Sequence, residues 1–507
     1  MPGTFTYTAT TNKVVVTGGT SGSPADFASF KAADDAGTGT SLLAATAPGS
    51  SVTLTYQVRP VEYRAIPVKF IVASKTAETD YLFITGTDAW GAAQTESIDV
   101  SAGNGTYTST KRWATITNID CSDNPAGGGT VWADGTIAVT QDIWGVLWKL
   151  GTAISDVWKW TCGLYIGDGS TATYFTQRKG VLIADILGGA GGYASGNSRI
   201  MLSVQANGVF QLGYSASNHI TSDGVLVFGV TVNGSSTPYG VFTVNGGAIK
   251  LYGSSFGSHQ RDGETAADFN LNFGSATSDT KVWNCSFGGV FCVSECGAAD
   301  YYNNTYLNAK YGLRGPSSTM TFDRVYVNAG TYAGYFVSGS QAIELWNVYA
   351  RGCSAGFLTY HVQNTYCGVI NADCNTWNHS MIGDTINFKL YRRYSVDINV
   401  KDNNGNALAG VTVRMENGSG YYTNDAETRY GFEVTTDSNG DIAQQVVSRS
   451  YYASTAPTTE VYLGPWKITL SKAGYKTQVV DSLVLDRALK LTFQMTRIDE
   501  PPAPWEA

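Results

Sequence analysis

KVWNCSFGGV (281–290) and TFDRVYVNAG (321–330) are two of six ten-residue segments that fall into common columns between residues 250 and 374. The others are KLYGSSFGSH from Lys250, YYNNTYLNAK from Tyr301, ELWNVYARGC from Glu344 and TYCGVINADC from Thr365. The last five segments begin 20, 20, 23 and 21 residues apart, and the first interval is 31 residues. A repeat of this length indicates stacked structural units.

Polarity alternates with period two inside each segment, which predicts a β-strand. A helical solenoid would need longer repeats with apolar positions at i, i+3 and i+4, and a leucine-rich repeat would need fixed Leu and Asn positions. Neither pattern is present. The columns therefore predict a parallel β-helix in which each period forms one coil. The second column, taken as interior, holds Leu251, Val282, Tyr302, Phe322, Leu345 and Tyr366.

In these columns the chain resembles the right-handed parallel β-helix family, which includes viral tailspikes and pectin-degrading enzymes. ITGTDAWGAAQTESIDV (84–100) resembles small β-sandwich modules of bacteriophage virion proteins, and IGDGSTATYF (166–175) resembles phage structural proteins with β-helices. GNALAGVTV (405–413), TTDSNGDI (435–442) and KAGYKTQ (472–478) resemble the carboxypeptidase-regulatory-like, or transthyretin-like, β-sandwich. That resemblance implies an adhesion or spacing module at the C-terminal end.

The predicted fold is all-β, with a right-handed parallel β-helix flanked by an N-terminal β-sandwich module and a C-terminal Ig-like or transthyretin-like β-sandwich. A short helix is expected to start near Ser23-Pro24-Ala25-Asp26, since Pro favours early helical positions. The predicted segments are 1–50 (strand and attachment segment), 51–120 (sandwich module), 121–199 (link and irregular coils), 200–390 (β-helix), 394–498 (second sandwich) and 499–507 (Pro-rich tail).

Composition excludes several classes of protein. Hydrophobic residues make up 43% of the 507-residue chain, which excludes a disordered polymer, and charged residues are only 15% against about 25% on average. The net charge of −8 without a basic stripe argues against nucleic-acid binding. No apolar run reaches 18 residues, so membrane insertion is not expected. The N-terminus lacks the features of a secretory signal, which predicts synthesis in a host cytoplasm.

Asp323 and Glu344 are the candidate catalytic residues, because they lie in nearby columns one coil apart. Glycoside hydrolysis needs two carboxyl groups about 5–9 Å apart. The alternative is that both are solvated surface charges.

The candidate binding residues are aromatic. Tyr306, Tyr326 and Tyr349 share a sixth, outward column, and Trp283 and Trp346 share the third column. Since coils stack about 4.8 Å apart, such columns predict a continuous strip. It would serve as a carbohydrate platform or a subunit interface, or it would reflect only the preference of Tyr for strands.

No metal site and no cofactor are predicted. The eight cysteines form no CxxC pair. Asp437, Asn439 and Asp441 have calcium-loop spacing but lack the Glu at position 12, so a hairpin turn is the preferred interpretation. Cys353 and Cys374 share the tenth column on consecutive coils, and we expect them to be neighbouring, reduced thiols.

The leading hypothesis is a structural protein of a virus particle surface, either a spike, a fibre or a capsid decoration, for host attachment or particle stabilisation. Its partners would be other capsid or tail proteins of the virion and a host-surface glycan. A tailspike depolymerase that cleaves a cell-surface polysaccharide and a cellular surface adhesin are the alternatives.

We predict a parallel homotrimer, because low charge combined with many exposed aromatic side chains is typical of chains that bury large interfaces. Light scattering of the purified chain should give about three times the monomer mass of 54.0 kDa. A stable monomer at that mass in the absence of the particle would contradict self-assembly by the free chain.

Overall fold

The structure is a computed structural model of the chain. It describes residues 3–8, 13–36, 41–46, 68–76, 80–88, 90–126, 135–140, 144, 146–150, 156–160, 162–185, 202–217, 219–230, 239–259, 269–288, 290–294, 299–307, 314–315, 320–328, 332–339, 342–353, 355–362, 364–377, 379–382, 387–423 and 425–499. Within these residues there are many β-strands and one α-helix, so the predicted all-β class is confirmed.

Two compact units divide the chain. The first comprises Met1–Phe210, Leu226–Val241 and His259–Ala267, and the second comprises Gln211–Val225, Phe242–Ser258 and Asp268–Ala507.

The elements up to residue 205 belong to the first unit. They are β1 (Thr4–Thr8), β2 (Lys13–Thr17), α1 (Phe27–Ala36), β3 (Ser41–Thr46), β4 (Lys69–Ala73), β5 (Tyr81–Thr87), β6 (Ala93–Asp99), β7 (Gly105–Thr108), β8 (Thr115–Ser122), β9 (Thr136–Thr140), β10 (Leu147–Leu150), β11 (Val157–Trp160), β12 (Gly163–Ile166), β13 (Thr173–Gln177), β14 (Gly180–Asp185) and β15 (Leu202–Gln205).

Short strands follow as far as residue 382. They are β16 (Gly208–Leu212), β17 (Tyr214–Ser217), β18 (Ile220–Asp223), β19 (Val225–Val230), β20 (Tyr239–Asn245), β21 (Ala248–Tyr252), β22 (Ser255–His259), β23 (Phe269–Ser275), β24 (Thr280–Trp283), β25 (Ser286–Gly288), β26 (Val290–Ser294), β27 (Ala299–Leu307), β28 (Arg314–Gly315), β29 (Met320–Asn328), β30 (Tyr332–Gly339), β31 (Ile343–Trp346), β32 (Tyr349–Arg351), β33 (Ala355–Val362), β34 (Tyr366–Ile370), β35 (Asp373–Cys374) and β36 (His379–Ile382).

The remaining strands form the C-terminal part of the second unit. They are β37 (Lys389–Asp402), β38 (Thr412–Glu416), β39 (Phe432–Thr435), β40 (Gln445–Ala453), β41 (Ala456–Tyr462), β42 (Trp466–Ser471), β43 (Gln478–Leu483) and β44 (Leu489–Met495).

In the first unit, the predicted helix is confirmed as α1. Asp26 caps it, since its Oδ1 accepts from the Ser29 backbone N at 2.7 Å while the Ser29 hydroxyl accepts from the Asp26 N at 2.8 Å. The helix buries Phe27 and Phe30 completely, and the Phe27 ring meets Phe175 edge-on at 5.1 Å. Two antiparallel sheets, β3-β9-β4-β7 and β6-β5-β8, share one apolar core between residues 68 and 139. Residues 51–67 of the predicted sandwich module lie outside the described residues.

In the second unit, parallel strands stack in a ladder, and each rung bends at one residue with positive φ. These residues are Gly253 (φ 56°), Asn284 (55°), Asn303 (54°), Arg324 (54°), Asn347 (51°) and Asn371 (53°). The strand pairs on either side of them are in register, as in Leu251↔Val282 before the bend and Phe256↔Phe287 after it. Gly and Asn adopt this backbone conformation most readily, which explains their use in the column.

The register confirms part of the predicted alignment and corrects the rest. Phe322↔Leu345 and Tyr326↔Tyr349 pair as predicted, although the Phe322 side chain lies outside the described residues. The segment from Tyr301 is wrong by one residue, because Tyr301 rather than Tyr302 pairs with Phe322. The last segment is wrong by three residues, since its offset is 24.

Tyr306 is therefore an interior residue, and the prediction that it faces outward is wrong. It pairs with Phe287 on one side and Val327 on the other, and it is 1% exposed. Its ring stacks on Phe287 at 5.3 Å, which in turn stacks on Phe256 at 5.1 Å. A one-residue slip exchanges the two faces of a strand, so Tyr306 leaves the outward column and enters the core.

The predicted alignment of Cys353 with Cys374 at the same position of consecutive coils is also wrong. Cys374 lies opposite Ala350. Both cysteines are free thiols, and burial raises the pKa of Cys374 to about 12. The thiols at these positions therefore act as small side chains of the interior.

The last rung of the ladder and the C-terminal core share one strand. β37 pairs in parallel with β34 through residues 389–393 and with β44 through residues 396–402. The separate sheet β39-β38-β42-β43 and the sheet that contains β37 contribute to one core, which includes Val396, Val413 and Trp466.

Tight loops with Asn or Asp at the first position and Gly at the fourth connect several strands. In Asp437–Asp441 the Asp437 carboxylate accepts from the backbone N of Asn439 (2.8 Å) and of Asp441 (3.0 Å), and Gly440 has φ 75°. The preferred interpretation of this segment as a turn is confirmed. Loops beginning at Asp88, Asp402 and Asn417 have the same hydrogen bonds.

The bend column generates a prediction at Asn347, whose Nδ2 donates to Asp323 Oδ1 at 2.6 Å. Asn347→Val should lower the free energy of unfolding by about 2–3 kcal/mol, because a β-branched residue resists positive φ and the hydrogen bond is lost. Asn347→Gly keeps the backbone freedom and should cost less than about 1 kcal/mol. Urea unfolding of the two variants measures the difference, and equal losses would show that φ does not limit the site.

Candidate functional site

The face of the ladder opposite its interior carries a short open stretch of polar and aromatic side chains. Tyr302, Asp323 and Trp346 follow one another in one column, paired Tyr302↔Asp323 and Asp323↔Trp346, and each is half-buried. We call these three residues the open column. On the rungs before and after these three residues, other side chains cover the same face of the ladder.

On the N-terminal side, the hairpin β17–β18 covers Trp283, which is only 6% exposed. The predicted role of Trp283 in an exposed strip therefore conflicts with its burial. Its ring lies 5.4 Å from the Tyr252 ring and 4.4 Å from the His219 ring, and Lys281 Nζ lies 4.6 Å from its centroid. The hairpin therefore packs on the Trp283 ring.

His219 occupies the tip of that hairpin with φ 65°. Its carbonyl accepts from Asn284 Nδ2 at 2.8 Å, and its ring stacks on Tyr302 at 3.8 Å with 22° between the planes. Its Nε2 lies 3.8 Å from Asp300 Oδ2, which is too long for a hydrogen bond. The imidazole therefore closes one end of the open column and contacts it through its ring face.

On the C-terminal side, Glu344 is bound by two arginines. Its Oε1 lies 3.3 Å from Arg393 Nη1 and 2.7 Å from Arg429 Nη2. The Arg393 side chain is fully buried, and burial lowers its pKa to about 10. A Cβ at Gly368 would lie 2.6 Å from Arg393 Nη1, so the absence of a side chain there gives the guanidinium its space.

The proposed catalytic pair is therefore divided between two tasks. Glu344 neutralises a buried arginine, while Asp323 accepts from Asn347 in the open column. Arg324 adds a cation to the column, with its guanidinium 4.9 Å from the Tyr302 ring centroid. The geometry gives Glu344 a structural contact and leaves Asp323 as the carboxylate of the open column.

Tyr326 and Tyr349 do face outward, as predicted, and are 38% and 44% exposed. Their rings are stacked at 5.1 Å with 6° between the planes. Each ring covers one face of the other, so the pair presents mainly edges and hydroxyl groups. Thr305 pairs with Tyr326 and Asp373 pairs with Tyr349 in this column. Because Tyr306 lies in the interior, the described residues of the column include only two tyrosines, Tyr326 and Tyr349.

Sequence reasoning missed Tyr302, His219, Arg324 and Arg393. Tyr302 and Arg324 required the corrected register, and His219 comes from a hairpin outside the repeat. Arg393 left no clear signal, because the sequence of β37, KLYRRYSVDINVKD, is largely polar and does not distinguish the buried Arg393 from its neighbour Arg392.

No metal centre is evident within the described ranges, where no three His, Cys, Asp or Glu side chains lie together as ligands. Nor does any helix in that part of the chain have the length and apolar character to cross a membrane.

Comparison with known proteins identifies no family. The sequence matches no known family profile and no curated protein. Among solved structures, 3-chlorocatechol 1,2-dioxygenase from Rhodococcus opacus 1CP aligns with 21% of this chain and 60% of its own, at 15% identity and a TM-score of 0.15. A likeness of this size carries no argument about fold or function.

Substitution of the two carboxylates tests the division of tasks. Glu344→Gln should lower the free energy of unfolding by about 2–4 kcal/mol, because it removes an anionic partner of a buried arginine. Asp323→Asn is the matched control and should change stability by less than about 1 kcal/mol, since Asp323 is half-exposed and an amide oxygen still accepts from Asn347. Chemical denaturation measures both, and a larger loss for Asp323→Asn would contradict the assignment.

Proposed function

We propose that this chain is a structural protein of a virus particle surface, a spike, fibre or capsid decoration, that serves host attachment or particle stabilisation. In this proposal the parallel ladder is a right-handed β-helix that forms a shaft. A β-sandwich module precedes it, and a transthyretin-like β-sandwich follows it and faces the host. The N-terminal part attaches to other proteins of the capsid or tail.

The observation that carries the proposal is the continuity of β37. One strand of 14 residues is both the last rung of the ladder and a central strand of the C-terminal core. No flexible linker separates them, and the buried Arg393 joins Glu344 of the ladder to Ser448 of β40, at 3.2 Å from Nε to Oγ. Rigid attachment of a terminal module to a repeat suits a protein that holds this module at a fixed position.

The second candidate function is depolymerisation of a surface polysaccharide. The open column favours it, since Asp323, Tyr302 and Trp346 provide a carboxylate between two aromatic rings on an accessible face. Glycosidases need a second carboxylate within about 5–9.5 Å. Glu344, the predicted second carboxylate, is committed to two arginines, so the predicted pair does not supply both groups, and the structural role is preferred.

Antibodies raised against the recombinant chain should label intact virus particles of the source in immunogold electron microscopy, at regular positions on the capsid or tail. Labelling of host cell surfaces without particles would contradict the proposal and favour an adhesin. A parallel incubation with capsular polysaccharide should produce no new reducing ends. Their release, and its loss in Asp323→Asn, would assign the chain to the depolymerases instead.

A further inference from the structure

Three exposed tyrosines lie in the C-terminal part of the second unit, two of them on one loop and the third at the end of β41. Tyr421 is 59% exposed, Tyr422 is 42% and Tyr462 is 44%. We call them the tyrosine patch.

The loop that bears Tyr421 and Tyr422 is NGSGYY (417–422), rich in the small and aromatic residues that recognition loops use. Asn417 fixes its shape, because its Oδ1 accepts from the backbone N of Ser419 (3.0 Å) and of Tyr421 (2.9 Å). The Asn417 backbone N also donates to the Tyr421 carbonyl at 2.9 Å. The two tyrosines are thus presented on a preorganised turn, which reduces the entropy that binding would cost.

The segment that follows β41 lies against this loop. A Cβ at Gly418 would be 3.2 Å from the Gly464 carbonyl oxygen, and a Cβ at Gly464 would be 2.7 Å from the Tyr462 hydroxyl. The Tyr462 ring also meets the buried Trp466 ring edge-on at 5.5 Å. These contacts place Tyr462 beside the NGSGYY loop and hold it there.

The charged side chains beside Tyr422 are paired with one another. Arg414 lies 3.9 Å from the Tyr422 ring centroid and pairs with Glu416 at 2.8 Å and with Glu433 at 3.9 Å. Glu416 also pairs with Lys467 at 2.5 Å, and that hydrogen bond holds the pKa of Glu416 below its usual range. Arg414 and Lys467 thus each have an anion, while Arg449, whose guanidinium lies 5.9 Å from the Tyr462 ring centroid, is half-buried. The cations beside Tyr422 are therefore paired and do not favour an acidic partner.

The size of the patch limits what it can bind. Three tyrosines exposed to this degree offer on the order of 300 Å², given the 150–250 Å² that an aromatic side chain buries. A stable protein interface needs about 800 Å² from each partner. A few sugar rings, in contrast, match the area, since the C–H face of a pyranose packs on an aromatic ring and its hydroxyls bond to phenol and carboxylate oxygens.

We propose that the tyrosine patch is a binding site for a neutral saccharide. The proposal rests on the attachment role proposed above and locates the glycan contact in the C-terminal module. It also explains why the ladder pair Tyr326–Tyr349 is less suited to this task, because those two rings cover each other.

Saturation-transfer difference NMR with the full chain tests the site, with maltoheptaose, cellohexaose and chitohexaose as probes. At least one should receive saturation and bind in the millimolar to micromolar range. Tyr421→Ala and Tyr462→Ala should each weaken that binding at least fivefold, while Tyr421→Phe should keep most of it because the ring remains. Tyr349→Ala is the matched control, since Tyr349 has the same 44% exposure as Tyr462, and should bind as the wild type does.

The proposal would be overturned if none of the three probes received saturation, or if only an acidic hyaluronan hexasaccharide bound. It would also be overturned if Tyr349→Ala lost as much saccharide binding as the patch variants, or if Tyr421→Ala and Tyr462→Ala both bound as the wild type does. Self-association that Tyr421→Ala abolishes, in the absence of saccharide binding, would assign the patch to a protein contact and likewise reject it. Unchanged melting temperatures show that the variants are folded. Particle labelling by immunogold is independent of these measurements, so the saccharide site can fail while the structural role stands.

Discussion

The backbone bend with positive φ is the constraint on which the ladder depends. Each rung from Gly253 to Asn371 places one residue in this conformation, and the strands on both sides pair only when these residues are superposed. The conformation costs most residues about 1–2 kcal/mol, and Asn and Gly reduce that cost. Where Arg324 occupies the position, its side chain emerges at the open column and contacts Tyr302. The bend therefore sets both the register and the identity of the residues on the outward face.

A second dependence is the burial of Arg393. Burying a guanidinium is unfavourable unless its charge and its donors are satisfied. Here Glu344, Ser448 and the carbonyl of Ala426 lie within hydrogen-bonding distance, and the Tyr366 and Tyr391 ring centroids lie 5.1 and 4.8 Å away. The carboxylate comes from the ladder and the neutral acceptors Ser448 and Ala426 from the C-terminal part, so neither part alone satisfies both the charge and the donors.

Much of the fold follows from the sequence, and the failures have physical causes. Alternation and spacing gave correct strands, and the rungs at Thr321 and Glu344 aligned correctly because their apolar columns are clear. The rung at Tyr301 failed because hydrophobic matching put Thr305 inside and rejected Asn304. Asn304 is nevertheless buried, with Oδ1 accepting from Cys285 N at 3.0 Å and Nδ2 donating to Val282 O at 2.8 Å. The Gly and Asn bend residues did not decide the register either, because the wrong alignment placed Asn304 and Gly368 in the bend column, where the structure has Asn303 and Asn371. For the candidate site, patterns within one repeat could not show that His219 covers Trp283 or that Arg393 binds Glu344, since both contacts join distant parts of the chain.

The shared strand β37 also determines how the protein would respond to pulling. Tension applied at the C-terminal end runs along β37, whose five pairs with β34 and seven pairs with β44 are all parallel to it. Hydrogen bonds in such an arrangement lie across the direction of pull and must break together, in shear, instead of opening one after another as in a zipper. Tension along this path would thus strain a cooperative block of hydrogen bonds at the junction between the ladder and the C-terminal core.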